Sequence, residues 1–408
     1  MKDIESMKID YAKIIVTKGV NIKKGQCLAI KTPVATYPFA SLIAKEAYKV
    51  GAKFVKIDID DLTLLCTRIE EQTDEDLLFI PSFETSVDDE MIKDEWAYIR
   101  IDNTDERHVL KNIDSSKLAD FSKNLNTFHT NMRKMRMSSE LTWCVVCAPS
   151  DNWAKQVLNE KSDSDDLWRF LAPILHLDQE DPISALEEHN KVIENRAKAL
   201  NAIELRSLHC KSASTDVTIG LSQYHRFEGG GENTTKGLPF YPNIPTEEVF
   251  TTPLKTGVNG VITTTKPVSL LDSLVKGARV VFKDGRVVEA SAEVGNDVLQ
   301  QYLKIDEGAS FMGEIALVDQ TSPIAMADTI FHSILYDENA SCHFALGAGY
   351  PTCLLLPQGI SLIEAGCNQS IVHTDFMFGS NDMSIIGTDR EGKEHSIMID
   401  GTFTSRFE

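Results

Sequence analysis

The first half of the chain alternates short apolar runs with amphipathic stretches, and this order strongly limits the folds open to it. Strands are predicted at 26–32 and 53–59, and residues 37–50 between them have the spacing of a helix. Two more strands are predicted at 96–101 and 142–148. Strands joined by helices at this spacing pair in parallel through right-handed crossovers. We therefore predict an α/β N-terminal domain with a mostly parallel sheet and helices.

The second half has a different pattern. Beyond helices predicted at 153–158, 166–177 and 183–200, strand-like runs separated by glycine and proline predominate from about residue 207. Asp284-Gly285 between two such runs is a strong signal for a tight hairpin, so antiparallel pairing is expected. A chain of 408 residues exceeds one ordinary core. We predict two domains, at 1–200 and 201–408, the second a mixed α+β, strand-rich domain.

Charge and hydropathy exclude several classes of partner. The formal net charge of −20 would repel nucleic acid and anionic membranes. No apolar run approaches the roughly 20 residues that span a bilayer, and the polar N-terminus lacks the apolar segment of a signal peptide. A cytoplasmic protein with reduced cysteines is predicted. Cys144 and Cys147 have zinc-like spacing, but no second pair or nearby histidine completes a site, so they are interpreted as core residues.

Acidic and imidazole side chains lie within apolar segments near the C-terminus. Glu314 is in Gly-Glu-Ile-Ala-Leu-Val, His343 begins His-Phe-Ala-Leu, and both His373 and Asp375 are in Ile-Val-His-Thr-Asp-Phe-Met. An ionised carboxylate in an apolar strand costs several kcal/mol unless it is paired or binds a metal. Because these placements fall in one short region, a shared metal site is the simplest explanation, and it indicates an enzyme.

These residues also have simpler interpretations. His373 and Asp375 are two apart, so their side chains share one face of a strand. A His-x-Asp pair alone, however, more often forms a hydrogen bond within a core, and a lone His343 is more often a core histidine. Cys342 and His343 are neighbours and point to opposite faces of a strand, which disfavours a Cys–His nucleophile.

Two further segments carry weaker signals. Glu247 and Glu248 follow Pro242-Asn-Ile-Pro-Thr, a stiff loop that can hold one acid toward a site, although adjacent acids in a loop are usually solvated. Residues 31–36, at the first strand–helix turn, have neither G-x-G-x-x-G nor a P-loop. A nucleotide site in the first half is therefore unsupported.

Taken together, these segments resemble the M29 family of metallo-aminopeptidases, of the aminopeptidase T type. The matching pieces are Pro242-Asn-Ile-Pro-Thr-Glu-Glu-Val-Phe-Thr, Gly313-Glu-Ile-Ala-Leu-Val, Asp337-Glu-Asn-Ala-Ser-Cys-His-Phe-Ala-Leu-Gly, Gly349-Tyr-Pro and His373-Thr-Asp-Phe-Met-Phe-Gly-Ser. They occur in the family's order and cover most of residues 205–408. The first half matches only in length and α/β character. Thr374 and Gly349 depart from the usual aliphatic residue and alanine, and neither is an expected ligand.

The resemblance implies a metal-binding set and an assembly. Six residues carry the expected type at matching positions: Glu248, Glu314, His343, Tyr350, His373 and Asp375. Three carboxylates, two imidazoles and a phenol are more donors than one zinc ion needs, and they suit two divalent ions that share a carboxylate. Such ligands accept zinc, cobalt or manganese and, less readily, magnesium, and the family suggests zinc or cobalt. The family also implies a homodimer.

The expected activity is the release of N-terminal amino acids from peptides with a free N-terminus, through a water that two metal ions activate. Glu314 is predicted to be the shared carboxylate and the catalytic base, with Glu247 as the alternative base. The family implies broad specificity with a preference for leucine-like residues. Phe240, Tyr241 and Phe250 either line the specificity pocket or, more simply, pack in the core. Two alternatives stay open, a related dinuclear metallohydrolase that cuts another amide and a catalytically silent metal-binding protein.

Overall fold

A computed structural model describes residues 2–102, 104, 109–110, 113–271 and 273–407. The chain divides into two compact units, one made of residues up to Leu186 with Gly231–Pro245, the other of Glu187–Gly230 with Thr246 onward. The boundary between domains at residue 200 stays a prediction. Among the described residues, no helix is long and apolar enough to cross a membrane.

The first unit contains a five-stranded parallel sheet. Its strands are β1 (Cys27–Pro33), β2 (Phe54–Asp60), β3 (Ala97–Ile101), β4 (Trp143–Val146) and β10 (Asn243–Ile244), in the spatial order β10-β4-β3-β1-β2. Leu28 and Ile30 point to one face of β1 and Ala29 to the other, and all three are almost fully buried. Burial on both faces is typical of a central strand in an α/β layer. The predicted α/β first half is confirmed.

One helix precedes the strands of this unit, and the others lie between them along the chain. The helices are α1 (Ile4–Ile14), α2 (Tyr37–Val50), α3 (Leu62–Glu71), α4 (Asp74–Leu77), α5 (Ser82–Lys93), α6 (Ser115–Phe128), α7 (Thr130–Met137), α8 (Asp151–Val157) and α9 (Ser164–Leu171). α2 has the bounds predicted from its spacing, because Pro38 suits the first turn and Gly51 ends the helix in the left-handed conformation at φ 103°. A two-stranded hairpin, β8 (Glu232–Asn233) and β9 (Pro239–Phe240), completes the unit.

An eight-stranded antiparallel sheet forms part of the second unit. Its strands are β5 (Leu205–Lys211), β6 (Asp216–Leu221), β12 (Pro253–Thr263), β15 (Arg279–Lys283), β16 (Arg286–Ser291), β20 (Ser384–Asp389), β21 (Glu394–Ile399) and β22 (Thr402–Phe403). Asp284 and Gly285 join β15 to β16 with φ of 49° and 83°, the pair of positive values that a tight hairpin needs. The hairpin predicted from Asp-Gly is thus confirmed.

A second antiparallel sheet of five strands positions the residues of interest. It consists of β7 (Glu228–Gly229), β11 (Glu248–Thr251), β17 (Met312–Val318), β18 (His343–Gly347) and β19 (His373–Met377), in the order β19-β18-β17-β11-β7. Alternate residues of these strands enter a buried apolar core: Val249, Ile315, Leu317, Phe344, Leu346 and Phe376. The opposite face is therefore free to carry polar groups, and we call it the site face.

The remaining elements of the second unit are short. They are α11 (Asn296–Tyr302), α12 (Pro323–Met326), α13 (Ile334–Asp337) and the hairpin of β13 (Val268–Leu270) and β14 (Ser273–Val275). Helix α10 (Pro182–Asn201) crosses from the first unit into the second along the chain. Sheets with a few helices confirm the predicted mixed, strand-rich second half.

Candidate metal centre

Strand register gathers the ionisable side chains on the site face. Glu314 of β17 lies opposite Ala345 of β18, which in turn lies opposite Asp375 of β19. Two residues further along β17, and on the same face, Ala316 lies opposite His343 of β18. Residues directly opposite in an antiparallel sheet point to the same face, so these side chains share the site face. The two alanines leave room between the acids and the imidazole.

His373 reaches the site face at the end of β19. It lies opposite Gly347, whose φ is 119°, and a Cβ there would come within 2.1 Å of the carbonyl oxygen of Val372. Only glycine fits such a position. His373 Nε2 is 3.5 Å from Asp375 Oδ1, which confirms that the two side chains share a face.

Two groups of potential ligand atoms form on this face, each with its atoms within 4.8 Å of one another. The first group contains Glu248, Glu314 and His343, which are only 7%, 3% and 1% exposed. His343 Nε2 lies 3.0 Å from Glu248 Oε2. Because burial of unpaired charge is costly, acids this deep need cationic partners.

The second group contains Glu314, His373 and Asp375. His373 Nε2 lies 3.1 Å from Glu314 Oε2. Glu314 belongs to both groups, so the two overlap at a single carboxylate.

Backbone carbonyls orient both imidazoles. Nδ1 of His343 is 3.2 Å from the carbonyl oxygen of Ser341, and Nδ1 of His373 is 2.8 Å from that of Ala348. An Nδ1–H that donates to a carbonyl leaves Nε2 turned toward the carboxylates, which is the usual arrangement of a metal-binding histidine. Both histidines are therefore oriented so that Nε2 can bind a metal ion.

The second group contains two buried polar atoms for which the described residues supply no hydrogen-bond partner, His373 Nε2 and Asp375 Oδ1. Their separation of 3.5 Å does not give hydrogen-bond geometry. Buried polar atoms without a partner are rare and often mark an ion or water site. These two atoms face each other, as ligands of one cation would.

Mutual electrostatics shift the pKa values of the two groups. Burial opposes a charged imidazole, but the hydrogen bond to Glu248 and its negative charge raise the pKa of His343 to about 10. Burial and, to a smaller extent, the charge of Asp375 raise the pKa of Glu314 to about 7, against the opposing effect of the nearby His373 imidazole. For Asp375 burial is outweighed by the charge of His373, so its pKa is lowered. The protonation states of these acids and imidazoles are thus coupled.

Glu338 is a member of this region that the sequence analysis missed. Burial, followed by the charges of Asp375 and Glu248, raises its pKa well above the usual value. It lies in a short 3₁₀ turn just before β18, where no alternation rule says which way a side chain points. Its only sequence signal is its place in the same segment as His343.

Tyr350 lies beside the second group. Its ring centroid is 5.0 Å from that of His373, in an edge-on arrangement. Burial and the charges of Glu314 and Asp375 raise the pKa of the Tyr350 hydroxyl well above its ordinary value. The backbone of Tyr350 is held by Thr252, whose hydroxyl accepts from its N–H at 2.8 Å and donates to its carbonyl at 3.0 Å. All six residues named from the sequence are therefore brought into one region.

Glu247 lies in a different environment. Its Oε2 is 3.3 Å from Nε2 of His189 on α10, and its backbone N–H donates to the Asn339 side chain at 2.7 Å. It belongs to neither group of ligand atoms. Its contact with His189 could not be predicted from the sequence, because that contact joins distant parts of the chain.

Comparison with known proteins is consistent with this geometry. The family model described as "Thermophilic metalloprotease (M29)" matches residues 5–403. Aminopeptidase 2 of Geobacillus stearothermophilus is 35% identical over 96% of both chains, and aminopeptidase AmpS of Bacillus subtilis is 34% identical over 98% of this chain and 99% of its own. The structure of wild-type AmpT from Thermus thermophilus superposes with a TM-score of 0.91 at 30% identity, over 98% of this chain and 100% of that one. This chain is thus a peptidase that belongs to the thermophilic metalloprotease (M29) family.

Proposed function

We propose that this peptidase is an aminopeptidase that works with two divalent metal ions bound at the site face. The observation that carries the proposal is the overlap of two groups of ligand atoms at Glu314. Two ions that share a carboxylate are typical of dinuclear hydrolases. The aminopeptidase names of relatives at 34% and 35% identity support the same activity.

The proposed ligands are the six residues that the sequence resemblance suggested: Glu248, Glu314, His343, Tyr350, His373 and Asp375. Glu314 would serve both ions, with one group of neighbours around each. Glu338 adds a further carboxylate to the same region.

The donor set fits divalent cations. Three deeply placed carboxylates face two imidazoles, and among the described residues no lysine or arginine forms an ion pair with Glu248, Glu314 or Asp375. Cations would compensate this excess of negative charge, and His373 and Asp375, each with an unpartnered buried atom, would help to hold one of them. Carboxylate and imidazole ligands without thiolate favour zinc, cobalt or manganese over magnesium.

The bound cations would supply a water of lowered pKa and an electrophile for the scissile carbonyl. The residue that we expect to take the proton of that water is Glu314, because it is common to both groups. The cations would also hold the free α-amine of a peptide, which would restrict cleavage to the first peptide bond. The homodimer and the cytoplasmic location stay predictions.

Metal removal and replacement test the proposal. We expect the purified protein to hydrolyse leucyl-nitroanilide, to lose this activity when a chelator removes its metal, and to regain it with zinc, cobalt or manganese. N-acetyl-leucyl-nitroanilide should not be hydrolysed, which distinguishes an aminopeptidase from a hydrolase of other amides. Full activity in protein shown to be metal-free, or equal hydrolysis of the blocked substrate, would contradict the proposal.

A further inference from the structure

Phe250 occupies an unusual position for a large apolar side chain. It lies two residues after Glu248 on β11, and it stands opposite Ala316, which itself stands opposite His343. Its ring therefore belongs to the site face. Phe344 of β18 and Phe376 of β19, in the same sheet, point the other way and are fully buried in the core.

Phe250 continues a row of rings that ends at the second ligand group. Its ring centroid is 5.3 Å from that of Tyr350 at an interplanar angle of 62°, and Tyr350 is 5.0 Å from His373. Both Phe250 and Tyr350 are only partly buried. On the side toward the imidazoles the neighbour of Phe250 is Ala316, which has almost no side chain. An apolar ring thus borders the ionised groups and keeps exposed surface.

The geometry of a bound peptide gives this ring a use. In an aminopeptidase the α-amine and the scissile carbonyl both lie at the charged groups, and the first side chain branches from the carbon atom between them. That side chain must leave the charged region within one or two bonds. An aromatic ring directly beside the ligands would bury this side chain, which favours peptides whose first residue is large and apolar.

We propose that Phe250 is a specificity-determining residue that contacts the side chain of the first residue of the substrate. This inference rests on the proposed aminopeptidase function. It assigns to Phe250 the discrimination between large apolar and small first residues, and it gives Phe250 no part in the chemistry.

The test compares Phe250→Ala and Phe250→Leu with the wild-type protein on leucyl- and alanyl-nitroanilide. We expect the leucyl-to-alanyl ratio of kcat/KM to fall by about ten-fold in Phe250→Ala and by less in Phe250→Leu, which keeps an apolar side chain. Metal content should stay at the wild-type level. Phe376→Leu is the matched control, because it replaces a phenyl ring on the core face of the same sheet by a smaller apolar side chain. It should lower stability without changing the leucyl-to-alanyl ratio of kcat/KM.

A binding measurement separates this inference from the proposed function. Calorimetric titration of the metal-loaded protein with leucine hydroxamate and alanine hydroxamate should show the same loss of discrimination in Phe250→Ala. If the wild-type protein cleaves no aminoacyl substrate but Phe250→Ala still loses this discrimination, the proposed function fails and the apolar subsite is supported. An unchanged ratio, an equal loss for both substrates, or the same shift in Phe376→Leu overturns the inference.

Discussion

His373 Nε2 lies 3.1 Å from Glu314 Oε2, although β18 separates the two strands that carry them. The two side chains can meet across β18 because the β18 residues opposite them are small: Ala345 lies opposite Glu314 and Asp375, and Gly347 lies opposite His373. Small residues at these positions allow long side chains from β17 and β19 to meet above them. The two ligand groups therefore depend on small residues in β18 as well as on the ligands that β17 and β19 carry.

Ala345→Leu should disrupt this meeting. Ala345 is fully buried, so three extra carbon atoms must displace Glu314 or Asp375 or shift the strands, at a cost of about 1–3 kcal/mol. We expect metal affinity to fall by about ten-fold or more while most of the fold is kept. Calorimetric metal titration and thermal unfolding would measure both effects. Phe344→Leu, the neighbour that faces the core, should reduce stability with little effect on metal affinity, and the reverse pattern would contradict the prediction.

Single ligand replacements should differ in the number of ions lost. Because His343 and His373 belong to different groups, replacing either by glutamine should weaken one ion and leave the other bound. Glu314→Gln should weaken both ions and abolish activity. Mass-spectrometric metal analysis after dialysis would give about one ion per chain for each histidine variant and fewer for Glu314→Gln. Equal losses in all three variants would argue against a shared carboxylate.

Much of this arrangement was open to prediction from the sequence, because strand alternation is local. The period of two placed His373 and Asp375 on one face, and the same rule separated Cys342 from His343. In the structure the Cys342 thiol lies in the core beside Met398, at 3.9 Å between the sulfur atoms. The face to which such a side chain points follows from its position in the strand alone.

Other features depend on contacts between distant segments and could not be predicted. Glu338 lies in a turn without a regular period, and Glu247 meets His189 from a helix far away along the chain. The segment Gly231–Pro245 returns to the first unit, and its strand β10 contributes only two residues to the parallel sheet, which pair with β4. A strand of two residues has no detectable pattern of its own.

Thr252→Val should loosen Tyr350 while changing almost no volume. The variant loses both hydrogen bonds to the backbone of Tyr350, which should cost about 1–2 kcal/mol of stability and lower activity. Thr251→Val is the matched control, since the Thr251 hydroxyl donates only to the carbonyl oxygen of Arg226, at 2.8 Å. Urea unfolding and kcat would be compared for both variants. A loss of activity as large in the control would show that Tyr350 is not specifically affected.

Asp306 should give stability a dependence on acid pH. Although burial opposes ionisation, hydrogen bonds from the N–H of Ile371 and the hydroxyl of Ser370 lower the pKa of the Asp306 carboxyl, and these bonds hold the segment before His373. Because the folded pKa lies below the unfolded value of about 3.9, the stabilisation is present above that pH and is lost as pH falls through the folded pKa. Asp306→Asn should therefore be less stable than wild type at pH 7, by about 1–2 kcal/mol, and the difference should shrink near pH 3. Urea unfolding at the two pH values would test this, and a constant difference would count against it.

Glu338→Gln should have opposite effects on the metal-free and the metal-loaded protein. Burial and the nearby carboxylates raise the pKa of Glu338, so the folded metal-free chain holds a proton that the unfolded chain releases above about pH 4.3. Wild-type stability without metal consequently falls as pH rises, and the glutamine variant avoids this loss. At pH 7 we expect the metal-free variant to unfold at higher temperature than the metal-free wild type, with the difference absent near pH 4.

The metal-loaded state should reverse this order. Cations attract the Glu338 carboxylate and offset its repulsion by Asp375 and Glu248, so the wild type should gain more stability from metal than the variant does. Thermal unfolding with and without zinc, in both proteins at pH 7, would measure the two gains. If the variant gains as much from zinc as the wild type, Glu338 does not interact with the ions and its raised pKa only reflects burial. If the metal-free variant is less stable than the wild type, the carboxylates do not repel one another as their placement implies.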